Sequence, residues 1–322
     1  MNEFNLYFAS SEYDDLKRQY NMNQLLSQYN DRSEIRDWVK YLKNHPECTS
    51  KLMIDSGAYT ASTKGLSIDI EDYLKFIKEV DEYVDYFVAL DVIPTLGTAR
   101  EVKNSISVED SSELSWKNYL YMIEKVDNPK KIIPVFHGGE DFKWLKNMLE
   151  FRDKNGEYID YIGLAVGDGS KAGREQWFNQ CFKIINSSSN PNVKTHAFGM
   201  TETSLLEKFP FTSSDSTSYV KQGAFGTINI KLKSSYTISI KGVKKPNHIT
   251  QAPKEVQEYV DNKLKLIGTS LKELEELQER GESPRQYLVK FNLLEFYDWS
   301  INFRKENQAP TYSNNILKEE LW

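Results

Sequence analysis

The stretch YIGLAVGDGSKAGREQWFNQCFKIINSSSNPNVKTHAFGM, residues 161–200, decides the fold. It opens on a nearly continuous apolar run, YIGLAV at 161–166, and closes on another short β-rich run, THAFGM at 195–200. Between them Phe178, Cys181, Phe182 and Ile185 fall at i, i+3, i+4 and i+7, the spacing of one helix face. Strands covered on both faces read as unbroken apolar runs, and a crossover long enough for a helix joins parallel neighbours. The stretch is therefore a βαβ unit.

The same alternation continues outward over the first 220 residues. LYFA at 6–9, KLMID at 51–55, YFVALD at 86–91, KIIPVFH at 131–137 and FTSSDST at 211–217 bring the candidate strands to seven. Two further helical stripes lie between them, Tyr73, Phe76, Ile77, Val80 and Trp116, Tyr119, Leu120, Ile123. With GTINIK at 226–231 as an eighth strand, residues 1–245 are expected to form an α/β fold of the (β/α)8 TIM type rather than an open doubly wound sheet. KKPNHITQAP at 244–253 reads as a linker, and two helical patterns follow, EVQEYVDNKLKLIGTSLKELEELQERG and SPRQYLVKFNLLEFYDWSINFRKEN. Residues 246–322 are thus expected to be a C-terminal helical extension packed on the barrel.

Composition narrows the function classes. The 322 residues carry 47 acidic side chains against 41 Lys and Arg, a formal charge of -6 that argues against gross electrostatic binding of nucleic acid. No run approaches the roughly 18 apolar residues of a spanning helix, and the N-terminal MNEFNLYFASSEYDD is acidic where a signal peptide is basic, so no membrane and a cytoplasmic location are expected. Cys48 and Cys181 have no CxxC or Cys/His spacing, which speaks against a disulfide scaffold and a structural zinc site. One local surface departs from the acidic balance: residues 216–254 contain no Asp or Glu but include Lys221, Lys231, Lys233, Lys241, Lys244 and Lys245. Such a segment suits contact with a phosphate backbone, or is a solvated loop and edge strand.

Parallel barrels place their chemistry at the C-terminal ends of the strands. Asp55 ends LMID, Asp91 ends FVALD, His137 ends IIPVFH, Gly163 to Gly167 close YIGLAVG, Phe198 to Met200 close THAFGM, and Asp215 lies within SSDST. A single strand-end Asp is as well explained by a helix cap or turn, and a strand-end His by a core imidazole satisfied by backbone. Three carboxylates on one mouth suit glycosyl transfer, with one as nucleophile and another moving the proton. They would also suit a divalent cation, although no HExxH or His-x-His spacing is present.

At these residues the chain resembles the tRNA-guanine transglycosylase (queuine tRNA-ribosyltransferase) superfamily, and more closely its bacteriophage branch of DNA-guanine transglycosylases. DSGAYTAS at 55–62, ALDVIP at 89–94, IIPVFHGGE at 132–140, GLAVGDG at 163–169, AFGMTETSLL at 197–206 and SSDSTSYV at 213–220 match that family's motifs in order, over roughly residues 50–225. The resemblance implies a pentosyltransferase with no dissociable cofactor, exchanging guanine in DNA for a free 7-deazaguanine of the preQ0 type. It implies Asp215 as the nucleophile on C1′ and Asp55 as general acid and base. Asp91 would accept from N1-H and the exocyclic amine of the base. His137, standing where the family has glutamine, would donate a neutral imidazole N-H to O6. Backbone around Gly163 and Leu164 would meet the base edge, and Tyr59 and Phe198 would sandwich the ring. The guanine nucleotide would be flipped or single-stranded, because C1′ is out of reach inside a duplex. The family's zinc segment is missing, since no cysteine follows Cys181. That disfavours the same chemistry on tRNA, the nearest alternative; a non-catalytic nucleic-acid-binding homologue, an unrelated barrel glycoside hydrolase and a requirement for a protein partner are the others.

Overall fold

A computed structural model of the chain describes residues 4–93, 106–167, 169–238 and 247–306. Nine strands form one parallel sheet: β1 (Asn5–Ala9), β2 (Asn23–Ser27), β3 (Leu52–Asp55), β4 (Tyr86–Val88), β5 (Ile132–Ile133), β6 (Val135–His137), β7 (Tyr161–Ala165), β8 (Lys194–Ala197) and β9 (Ser213–Ser216). Their order, β5-β4-β3-β2-β1-β9-β8-β7-β6, begins and ends on the two halves of the single run KIIPVFH. β5 pairs with β4, and β6 with β7. Pro134 between them has no N–H to give the ladder, so the strand is interrupted rather than ended. Its carbonyl still accepts from Gly163 N–H at 2.8 Å. The sheet therefore comes round on itself in eight positions, a TIM-type barrel.

The helices that flank the barrel are α1 (Asp14–Gln19), α2 (Arg32–Asn44), α3 (Ala58–Thr63), α4 (Ile70–Val80), α5 (Val108–Lys125), α6 (Phe142–Glu150), α7 (Lys171–Ser187) and α8 (Thr203–Lys208). The expected apolar stripes are buried in full on α4 and α7. On α5 Tyr119 is buried as expected, but Met122 is the residue buried with it, while Trp116, Leu120 and Ile123 are only partly covered. Inside the barrel one cluster gathers Tyr7, Leu25, Met53, Val88, Ile133, Val135 and Tyr161, each from a different one of strands β1 to β7. The interior is packed side chain, so the open positions lie at its two ends.

Three sequence expectations need correction. The barrel strand β2, NQLLS, was hidden because its leading residues are polar. They are buried and bonded locally through part of their polar groups: Gln24 Nε2 donates to the carbonyls of Phe8 at 2.6 Å and Ser10 at 2.7 Å, and Asn23 Oδ1 accepts from Lys51 N at 3.0 Å, while Gln24 Oε1 is buried without a partner among the described residues. GTINIK is not the eighth barrel strand. It supplies β10 (Thr227–Ile230), which pairs antiparallel with β11 (Ser234–Thr237) in a separate hairpin. Lys231 and Leu232, at φ 51° and 54°, turn that hairpin in the left-handed conformation its twist requires. The two expected C-terminal helices are three: α10 (Lys254–Leu266), α11 (Leu271–Glu279) and α12 (Arg285–Glu306). Gly268 and Thr269 close α10 by donating to Lys265 and Leu264, and the Ser270 hydroxyl caps α11 by accepting from Glu273 N at 3.2 Å.

Among the described residues, contacts group Tyr7–Asp215 into one compact unit, and 4–6 with 216–306 into another. The hairpin thus belongs with the C-terminal helices, together with α9 (Ser218–Ala224). In this second unit Ile228, Ile230, Val260, Leu264, Leu288 and Phe291 belong to the apolar core. α12 holds the hairpin through polar groups, with Asn292 bonded to Asn229 N at 2.9 Å and to Thr227 O at 2.8 Å, and Glu295 accepting from Lys231 N. No helix among the described residues is long and apolar enough to cross a membrane.

Candidate active site

Two of the expected acids, Asp55 and Asp91, lie at or just beyond a strand end and are held by the neighbouring crossovers. Asp55 is the last residue of β3, and Asp91 lies three residues beyond β4. The Tyr73 hydroxyl on α4 donates to Val88 O at 2.9 Å and reaches Ile54 O at 3.5 Å, tying the two strands together just below both acids. α5 fixes the segment bearing Asp91: Asn118 Nδ2 donates to Leu90 O at 2.9 Å, and Val92 N donates to Ser115 Oγ at 2.8 Å. Gly57, at φ 79°, turns the chain out of β3 so that its N–H donates to Asp55 Oδ2 at 3.0 Å. A Cβ there would stand 2.3 Å from Tyr29 Cβ, so only glycine fits.

The Asp55 carboxyl is pushed up to about 7, first by burial, then by the charge of Asp91 and, more weakly, that of Asp215; the Gly57 N–H opposes the rise. That mutual influence brings the three acids into one electrostatic site. Near neutral pH such a group both gives and takes a proton.

His137 does not present the free neutral N–H expected of it. Its Nε2 lies 2.9 Å from Asp91 Oδ2, and its Nδ1 lies 3.3 Å from Glu140 Oε1. Burial would lower the imidazole, but hydrogen bonds and charge from the two carboxylates outweigh it and raise it to about 10. His137 is therefore an imidazolium clamped between two acids, and both its N–H groups are spent. Glu140 also accepts from His137 N at 3.0 Å, closing the turn after β6. The sequence marks this residue only by its position three after the strand-end His in HGGE.

Asp215 sits in β9, 7% exposed, and accepts on Oδ1 from Gly199 N–H at 2.7 Å, with His196 Nε2 3.2 Å from the same oxygen. His196, wholly buried on β8, was missed because it lies inside a strand and not at its end. Its signal is a polar residue within a β-rich run, paired in register with Ser213.

The remaining expected residues divide. Gly163 and Leu164 lie within β7, where Gly163 N–H donates to Pro134 O at 2.8 Å and Leu164 O accepts from Phe198 N at 3.0 Å, so these two groups serve the ladder and not a ligand. The Phe198 ring covers Gly163 so closely that a Cβ there would stand 2.4 Å from its Cε2. Tyr59 is 70% exposed on α3, and among the described residues no ring contact joins it to Phe198. Lys221, Lys231 and Lys233 are exposed residues of the second unit, on α9 and at the hairpin turn. The Lys231 ammonium lies 5.6 Å from the Tyr259 ring centroid. Lys241, Lys244 and Lys245 lie outside the described residues.

A cleft of about 480 Å³ borders Asp91 and is lined by Ala58, Ala61, Leu66, Leu90 and Ile106 among others, a size and polarity typical of small-molecule sites. A second cleft, of about 380 Å³, is lined by Tyr83, Tyr86, Lys131, Asp160 and Lys194, at the N-terminal ends of β4, β7 and β8 and so at the opposite end from the acids. Among the described residues no cluster of three or more His, Cys, Asp or Glu is arranged to hold a metal ion. No protein-family model matches the chain, and no curated protein matches it either.

Proposed function

We propose that the protein is a pentosyltransferase that exchanges guanine in DNA for a 7-deazaguanine through a covalent aspartyl-sugar intermediate. The observation that carries this is the unequal pair at the barrel mouth: Asp215, with one oxygen accepting from Gly199 N–H and facing His196 Nε2, and Asp55, raised to about 7 by burial and by the charges of Asp91 and Asp215. One carboxyl group suited to attack and another suited to hold a proton are the requirements of retaining glycosyl exchange. Asp215 attacks C1′, the C1′–N9 electron pair leaves with guanine, and guanine takes a proton from Asp55. The incoming base then gives its N9 proton to Asp55 and attacks C1′, releasing the Asp215 carboxylate. Two inversions return the original configuration.

The apolar cleft beside Asp91 is where a flat base would lie, with the exposed Tyr59 ring free to close over it. Ser56 Oγ and His137 Nε2 each use one position on the Asp91 oxygens, and a carboxylate retains further lone pairs for the N1-H and amine of guanine. Adenine offers no N1-H and would leave that partly buried carboxylate underpaired. His137 then acts by fixing Asp91, which replaces the direct contact to O6 expected from sequence. DNA contact is assigned to the acid-free lysine segment, and the nucleotide must be flipped or single-stranded.

The test is incorporation of radiolabelled guanine by purified protein into duplex DNA, single-stranded DNA and bulk tRNA in parallel. Label should enter DNA and not tRNA, and Asp215→Asn should abolish it while the fold is retained. Label in tRNA alone would move the substrate to RNA. Full rates in Asp215→Asn would remove Asp215 from the chemistry.

A further inference from the structure

The contacts around Asp215 extend into the barrel as a chain. The His196 imidazole is wholly buried, with the Tyr7 ring edge-on at 5.8 Å and the Phe198 ring at 4.4 Å. Its Nε2 faces Asp215 Oδ1 at 3.2 Å, and its Nδ1 is hydrogen bonded to Ser213 Oγ. Ser213 Oγ is in turn hydrogen bonded to the Tyr161 hydroxyl. Ser213 is wholly buried and Tyr161 nearly so.

Counting hydrogens gives the chain a direction. Attack on C1′ requires Asp215 as a carboxylate, which only accepts, so Nε2 must carry the hydrogen between them. In the Nε2-H tautomer Nδ1 is the acceptor, so the Ser213 hydroxyl donates to it, and the Ser213 oxygen accepts from Tyr161. Burial raises the Tyr161 phenol well above its ordinary value, so that end of the chain keeps its proton. Among the described residues both hydrogen bonds to the Asp215 carboxyl fall on Oδ1.

We infer that His196 is a positioning residue for the nucleophile: with Gly199 N–H it holds Oδ1 of Asp215 and leaves Oδ2 as the attacking oxygen, while Ser213 and Tyr161 fix its tautomer. This rests on the transglycosylase reading. In the aspartyl ester Oδ1 is the carbonyl oxygen, and the same two donors face it. When the incoming base attacks C1′, the ester C1′–O bond breaks and its electron pair returns to Asp215. Donors already in place stabilise the carboxylate as it forms. Loss of the His196 donor therefore slows breakdown of the intermediate more than it weakens base binding.

The experiment follows adduct formation and breakdown by acid quench in wild type, His196→Leu, His196→Gln and Ser213→Ala, with ¹⁵N spectra of the histidines recorded in parallel. His196→Leu should slow breakdown by roughly 10- to 100-fold, the value of one charge-assisted hydrogen bond, with the KM for guanine nearly unchanged. His196→Gln, which can still donate from its amide, should recover most of the rate. Ser213→Ala leaves Asp215 and His196 in place but removes the donor to Nδ1, and should fall between. If His196→Leu does not fold, the Gln and Ser213 variants carry the comparison. Wild-type breakdown in folded His196→Leu, or in both of those, would overturn the proposal, as would an Nδ1-H tautomer at His196 in active wild type. An inactive wild type with the Nε2-H tautomer would instead overturn the reaction, leaving the hydrogen-bond chain standing.

Discussion

Replacing Asp55 by Asn should stabilise the protein, and should do so only above acidic pH. The folded Asp55 carboxyl is raised from 3.8 to about 7, by burial first and by Asp91 and Asp215 after it. For an acid whose folded value lies above its unfolded one, the native state holds the proton longer. Stability is unaffected below about pH 4, falls as pH rises toward 7, and stays reduced beyond. Three units at about 1.4 kcal/mol each set an upper limit near 4 kcal/mol. Asp55 is partly open at the mouth, so screening by solvent brings the expected figure to about 2 kcal/mol. Asparagine keeps the size of the side chain and an oxygen for the Gly57 N–H. Urea unfolding of both proteins at about pH 4 and pH 8 isolates the effect, because the remaining titrations largely cancel in the difference. The variant should match wild type at the lower pH and exceed it by about 2 kcal/mol at the higher. An equal margin at both values, or a variant less stable at pH 8, would refute the argument that burial and the neighbouring acids raise the Asp55 carboxyl.

Other outcomes follow from the same contacts. Glu140→Gln removes one of the two carboxylates that raise His137 to about 10. The stability His137 contributes is complete below pH 6.5 and lost as pH rises through its folded value, so in the variant the loss should be smaller and finish at lower pH, as denaturation between about pH 6 and 10 would reveal. Gly163→Ala places a Cβ 2.4 Å from Phe198 Cε2 and 3.1 Å from Val135 Cγ2, and should cost about 1–3 kcal/mol by chemical denaturation. In the second unit, Lys263 lies against Glu295 and is 2.7 Å from Asp298 Oδ2, with Lys263 and Glu295 both buried. Lys263→Met should cost about 3–5 kcal/mol in unfolding free energy, and adding Glu295→Gln should recover part of it, since the loss comes from a buried charge left unpaired.

The barrel was legible because parallel strands covered on both faces write themselves as apolar runs, as in KLMID and YIGLAV. β2 broke that rule, its Asn23 and Gln24 being buried and paid for by hydrogen bonds to neighbouring backbone. TINIK obeyed the rule for strands in general, and nothing local separates a barrel strand from a hairpin strand whose turn lies beyond it. Asp55 and His137 were legible by place, since both end their strands. His196 and Ser213 were not, because their meaning depends on a register across two strands 17 residues apart. The charge of His137 was not legible, being set by Asp91 together with Glu140, which strand ends do not point to.

The mouth also bears on how a nucleic acid would be held. Four carboxyl groups, on Asp55, Asp91, Glu140 and Asp215, stand with two imidazoles. On the proposed reaction they keep different company: Asp55 meets two acids and keeps a proton, Asp91 and Glu140 share the His137 ring, and Asp215 meets Gly199 N–H and the His196 ring on one oxygen. This arrangement is good for dividing labour among carboxylates and poor for attracting phosphates, which an acidic opening repels. Affinity for a polyanion must then come from cations outside the mouth. With a formal charge of -6 the chain has few regions to supply them, and 216–254 is free of acids. On the proposed reaction the base and the backbone of the substrate would make opposite electrostatic demands, which carboxylates at one mouth and lysines in a separate segment would meet.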